Sequence, residues 1–167
     1  HDVFANDVKP LVKLYSDVFR EGTDFSNEYF AYDVDKEAIP YGNRHAVYNG
    51  YHFISVQVEA DYTCSENSLA WLDAKLKDIT EEDPNQYVFV LTHCAPYQTV
   101  YSTEVDRYGA FNSNIDSVLK TYPQTVCLTG HFHNDLYIDS VVMQEDYTCV
   151  DIGGLNYDAT QVFIDGN

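Results

Sequence analysis

The sequence predicts an α/β fold built on a mixed sheet. Two nearly continuous apolar runs of strand length, residues 87–92 and 125–129, have the pattern of strands covered on both faces. A segment of helical period precedes the first run and a shorter one lies between the two. Both runs end in histidine, at the carboxyl edge where open α/β sheets bind their ligands.

Taken in chain order, Val8, Leu11, Val12, Tyr15, Val18 and Phe19 recur at helical spacing over 6–20, with Pro10 near the first turn, where proline is tolerated. Residues 22–41 are polar and acidic without a period, which predicts loop. Residues 45–58 read as strand, divided by Asn49-Gly50, a strong two-residue hairpin signal. Ser65 is a suitable cap for a helix whose face is Leu69, Leu72, Leu76 and Ile79. After an acidic turn at 81–85 comes the first buried strand, then His93-Cys94-Ala95-Pro96 and a loop holding Tyr97, Tyr101 and Tyr108. A short helix is expected around 114–122, with Ile115, Val118 and Leu119 on one side. The second buried strand leads to Gly130-His131-Phe132-His133, and further short strands fit 135–139, 147–152 and 161–165. No internal boundary is visible, so 1–167 reads as one domain.

Composition narrows the function. The chain has 167 residues and a formal net charge of −18, from 27 acidic and 9 basic side chains. Such a surface repels phosphate backbones, which excludes nucleic-acid binding through a basic patch. No apolar run approaches a membrane span. A phosphoester remains compatible as a substrate where bound metal reverses the local field. The four cysteines, Cys64, Cys94, Cys127 and Cys149, lack the CxxC spacing of a zinc ribbon. Cys94 and Cys127 sit in or beside apolar runs, as small hydrophobes do. Cys64 and Cys149 share the text Asp-Tyr-Thr-Cys, which leaves a disulfide between them open.

His93, His131 and His133 lie just past strand ends, and imidazole suits zinc, iron and manganese-type ions. His131 and His133 point the same way if extended and diverge if the chain turns, and Gly130 permits a sharp exit. Val90-Leu91-Thr92-His93 followed by Pro96, and Gly130-His131-Phe132-His133-Asn134, are similar to the last two signature blocks of calcineurin-like metallophosphoesterases. Ser68-Leu69-Ala70-Trp71-Leu72 resembles the helix before the first of these, and Ile152-Gly153-Gly154 the return strand after the second. The resemblance implies the C-terminal part of a single catalytic domain, half of a four-layer α/β/β/α sandwich with mixed sheets.

The family's Asp-x-His and Gly-Asp-x-x-Asp blocks are absent from this sequence. Its Gly-Asn-His-Asp block is matched only by the opening His1-Asp2. By resemblance His93 and His131 bind one metal and His133 the other, His1 contacts the phosphoryl group or protonates the leaving oxygen, and Asp2 orients His1. The implied cofactors are two divalent or trivalent transition-metal ions of the iron, zinc or manganese type. The implied partners are a phosphoester substrate, phosphomonoester or phosphodiester, and the missing N-terminal half of the domain, whose carboxylates complete the site. Two metals about 3.5–4 Å apart supply a nucleophile and clamp the phosphoryl oxygens, and a histidine near its natural pKa can protonate a leaving group.

Three other readings compete. Gly42-Asn43-Arg44-His45 is nearly the third block, but the intervening Arg44 displaces the imidazole and Gly-Asn is common turn text. A cysteine hydrolase would use Cys94 with His93, although neighbours on a strand face opposite ways. A non-catalytic binding module that keeps the fold could use the Tyr97–Tyr108 loop, where Arg107 is the lone cation. Without carboxylates from the two absent blocks, the 167-residue chain alone is expected to show little or no metal-dependent phosphatase turnover. A purified chain with robust turnover on added metal would overturn this.

Overall fold

Asn49-Gly50 closes a hairpin because both residues accept a left-handed backbone, with φ of 51° and 81°, the pattern of a type I′ turn. The computed structural model describes residues 31–33, 43–100, 103, 111–131 and 142–152. The hairpin joins Arg44–Tyr48 (β2) to Tyr51–Val56 (β3). Ala31–Asp33 (β1) adds antiparallel to β2, so the predicted loop at 22–41 contains a strand. Three residues on a sheet edge are too few to carry a period in sequence. The expected helix at 6–20 lies outside the described residues, as do the strands at 135–139 and 161–165.

Ser65 caps the long helix Glu66–Glu82 (α1), its hydroxyl oxygen accepting from the Ser68 amide at 3.1 Å. Leu72, Leu76 and Ile79 are buried along one face, and the predicted Leu69 packs beside them, half-buried. Val88–Thr92 (β4) and Thr125–Thr129 (β5) fall where the apolar runs predict. The helix between them is a single turn, Asp116–Leu119 (α2), which buries Leu119. Val142–Gln144 (β6) was not anticipated, and Thr148–Asp151 (β7) lies within the predicted 147–152.

These strands form one seven-stranded sheet in the order β1-β2-β3-β4-β5-β7-β6. The inner four, β3, β4, β5 and β7, run parallel, and the outer pairs are antiparallel. The sheet is mixed, as expected. Its covered face carries Ile54, Val88, Val90, Cys127 and Cys149, which pack with Leu72, Leu76, Ile115 and Leu119 in one core. On the other face Phe53 stacks on Phe89 at 5.1 Å and continues into Leu91, Val126, Leu128 and Val150. This second apolar face is half-buried except at Phe89.

All four cysteines are free and buried. Cys149 faces Cys127 in register across β5 and β7 rather than Cys64. A hydrogen bond to Cys149, together with burial, holds the Cys127 thiol well above its ordinary range. No helix among the described residues is long and apolar enough to cross a membrane.

His45 and His52 meet across the hairpin, Nε2 to Nδ1 at 3.0 Å. Burial pushes the His52 pKa below its ordinary 6.5, and the Glu82 carboxylate opposes the shift. The fold therefore favours neutral His52, and the unfolded chain takes up that proton first as pH falls. The contribution is present above pH 6.5 and is lost on acidification below it. Between about pH 7.5 and about pH 5.5 the wild type should lose more urea resistance than His52→Gln. Parallel losses would show that His52 is not the group responsible.

Candidate metal centre

The parallel registers align the carboxyl ends of four strands. Val56 pairs Thr92, Thr92 pairs Thr129, and Thr129 pairs Asp151. The chain leaves β4 directly into His93 and leaves β5 through Gly130 into His131. The Gly130 amide donates to the His93 carbonyl at 3.1 Å, and the Ile152 amide to the Thr129 carbonyl at 2.8 Å. These bonds extend the sheet by one step and hold the two exits side by side.

His131 then adopts a φ of 73°, a left-handed backbone that costs a non-glycine residue about 1–2 kcal/mol. The predicted flexible point was Gly130. Its own φ is ordinary, and a Cβ there would meet nothing within 4 Å. The turn in the chain falls on the histidine itself. His131 Nδ1 thereby lies 2.6 Å from His93 Nε2, one ring donating to the other according to tautomer. The rings meet edge-on, with centroids 4.6 Å apart.

Sequence reasoning did not find two further groups. Tyr62 also has a positive φ, 65°, in a turn where Asp61 accepts from the Thr63 amide and hydroxyl. Those bonds hold the Asp61 carboxyl below its usual range. The Tyr62 ring stands 5.1 Å from that of His131, and no local motif marks it. Cys94 is the second. His93 and Cys94 follow the last residue of β4, where the chain bends, so strand alternation does not separate them. Ligand atoms of His93, Cys94 and His131 all lie within 4.8 Å of one another.

Asn112 braces this corner. Fully buried, it accepts through Oδ1 from the amides of Asn114 and Ile115 and donates through Nδ2 to Cys64 Sγ at 3.2 Å. Its backbone pairs with Ala95 and Tyr97, just beyond Cys94. One residue thus ties the His93 exit to the entrance of α1 and the start of α2.

The site fits a single metal ion. Two imidazoles and a thiol, donors that suit a borderline-soft ion, converge there. Tetrahedral zinc holds two imidazole nitrogens about 3.3 Å apart, so a small outward rotation of one ring would admit the ion. The sequence-predicted His133, His1 and Asp2 lie outside the described residues. The competing His45 is engaged with His52. Asn43, buried, accepts through Oδ1 from the Gln57 amide, which places Asn43, Arg44 and His45 in the hairpin framework; Gly42 lies outside the described residues. Of the Tyr-rich loop, Tyr97 is exposed and packs its ring on Phe111 at 4.4 Å; Arg107 lies outside the described residues.

Comparison of the chain with family models, characterised proteins and solved structures returns no match.

The left-handed backbone at 131 gives a stability test separate from metal. Glycine adopts that conformation without the Cβ penalty that alanine incurs. His131→Gly should exceed His131→Ala in urea-unfolding stability by about 1 kcal/mol. Equal stabilities would mean that the turn relaxes once the imidazole is removed.

Proposed function

We propose that this chain supplies His93, His131 and His133 to the dinuclear centre of a metal-dependent phosphoester hydrolase of the calcineurin-like type. One observation carries the reading: His93 and His131, 38 positions apart in sequence, meet at 2.6 Å on the carboxyl edge of adjacent parallel strands. The signature-like blocks at 90–96 and 130–134 are the sequence counterpart of that geometry.

The architecture is compatible. Helices cover one face of the sheet, and the opposite face is a continuous apolar surface from Phe53 to Val150. Parallel strands are ordinarily covered on both faces. A second sheet packed there, with helices on its own outer face, would complete a four-layer sandwich.

Bound metal would supply Lewis-acid polarisation and a nucleophile at neutral pH. The roles of the chain's own residues are narrower. His93 and His131 hold one ion, and His133 the other. His1 delivers a proton to the leaving oxygen and Asp2 orients it, as the resemblance implies. The Tyr62 ring shields one side of His131. Carboxylate ligands come from sequence that these residues do not include.

The test uses the natural full-length protein with p-nitrophenyl phosphate and bis(p-nitrophenyl) phosphate as substrates. His93→Ala and His131→Ala should each lower kcat/KM by at least about 100-fold, the upper end of what outer-shell metal partners cost. Chelation should abolish turnover and added metal restore it. Metal-independent turnover, or full activity in both variants, would end the proposal.

A further inference from the structure

Cys94 is more than core filling in this arrangement. Its side chain is fully buried, whereas His93 and His131 are half-buried. The thiol therefore forms the inner wall of the site and the imidazoles its outer wall. Among the described residues no carboxylate joins a cluster of this kind, so Cys94 is the one donor of the group able to bring negative charge to an ion. Its position is fixed on both sides. The His93 carbonyl is held by the Gly130 amide, and the Ala95 carbonyl accepts from the Asn112 amide at 2.9 Å.

We infer that Cys94 Sγ is a protein ligand, so that His93, Cys94 and His131 form a His2Cys site for one borderline-soft divalent ion such as Zn2+ or Co2+. The inference rests on the reading that His93 and His131 share an ion, and it does not depend on phosphoester hydrolysis. When the ion binds, the sulfur–metal bond forms as the thiol proton passes to solvent water. No oxidant or reductant is involved. Thiolate favours zinc and similar ions over magnesium, calcium or manganese, which prefer oxygen. Three ligands from this cluster leave the fourth position of a zinc-type ion to a further protein carboxylate or a bound molecule.

Two other roles for Cys94 make different demands. A small hydrophobe in a core needs no nitrogen ligands nearby. A nucleophile must reach a substrate, and a side chain with 0% exposure does not.

Cobalt titration of the natural full-length protein separates these roles. Thiolate-bound Co2+ shows a near-ultraviolet charge-transfer band that imidazole alone does not give. The wild type should bind one Co2+ at this site with that band. Cys94→Ser should lose it and bind at least about tenfold more weakly, the minimum that even outer-shell partners cost. Zn2+ should displace the cobalt and Mg2+ should not. Should Cys94→Ser fail to fold, the wild-type band, its displacement by Zn2+ and its loss in Cys94→Ala carry the test.

Binding without the band, and at equal strength in Cys94→Ser, would overturn the thiolate ligand and leave the His93–His131 reading intact. Absence of cobalt binding would overturn both. A thiolate band in a protein without phosphoester turnover would support this site and count against the hydrolase alone.

Discussion

The in-register parallel pairing of β3, β4, β5 and β7 is the constraint on which the described structure depends. It turns strands that are distant in sequence into a single edge, and it decides which residues share a face. Because side chains alternate with a period of two, a slip of one residue would send Ile54, Val90, Cys127 and Cys149 out of the core together. The apolar pattern thus fixes the register. The register in turn places His93 beside the exit to His131, so the site follows from how the core is buried.

Holding the site there carries a local cost. His131 occupies a backbone region that its Cβ disfavours, and such strain persists where surrounding structure over-determines it. Here the surrounding structure can be named. The Gly130 amide bonds to His93, the Ile152 amide bonds to Thr129, and the Asn112 backbone pairs with Ala95 and Tyr97 beyond Cys94. The same economy appears at the hairpin, where the Asn49-Gly50 turn brings His45 and His52 together on the covered face.

Much of this was legible in the sequence because burial leaves a period. Leu72, Leu76 and Ile79 mark α1, the apolar runs mark β4 and β5, and Asn49-Gly50 marks its turn without tertiary help. The edge strands were not legible. β1 lies in an acidic stretch, and β6 exposes Val142 and Gln144; a three-residue edge strand has too little buried surface to impose a pattern. That His93 and His131 act together was implied by the resemblance; both lie at strand ends, and their meeting needed only that the strands be neighbours. The closeness of Cys94 to His93 was not legible for a specific reason. Strand alternation ends at Thr92, and His93 and Cys94 lie one and two residues beyond it, where the backbone already bends. Tyr62 reaches His131 through a turn whose geometry depends on Asp61 and Thr63, and no apolar period records such a contact.

Asn112 links the site to the stability of the whole. Its hydrogen bonds join residues near 64, 95 and 115, so the corner around His93 cannot open without loosening the entrance of α1 and the start of α2. Ligand-binding loops are commonly drawn from the parts of a protein that open most readily. This one is tied through a single buried residue to the entrance of α1 and the start of α2. Amide exchange at Cys94 and Ala95 would then proceed through global rather than local unfolding. Whatever occupies the site is coupled to the persistence of the entire fold, and its departure would be felt in the core as well as at the edge.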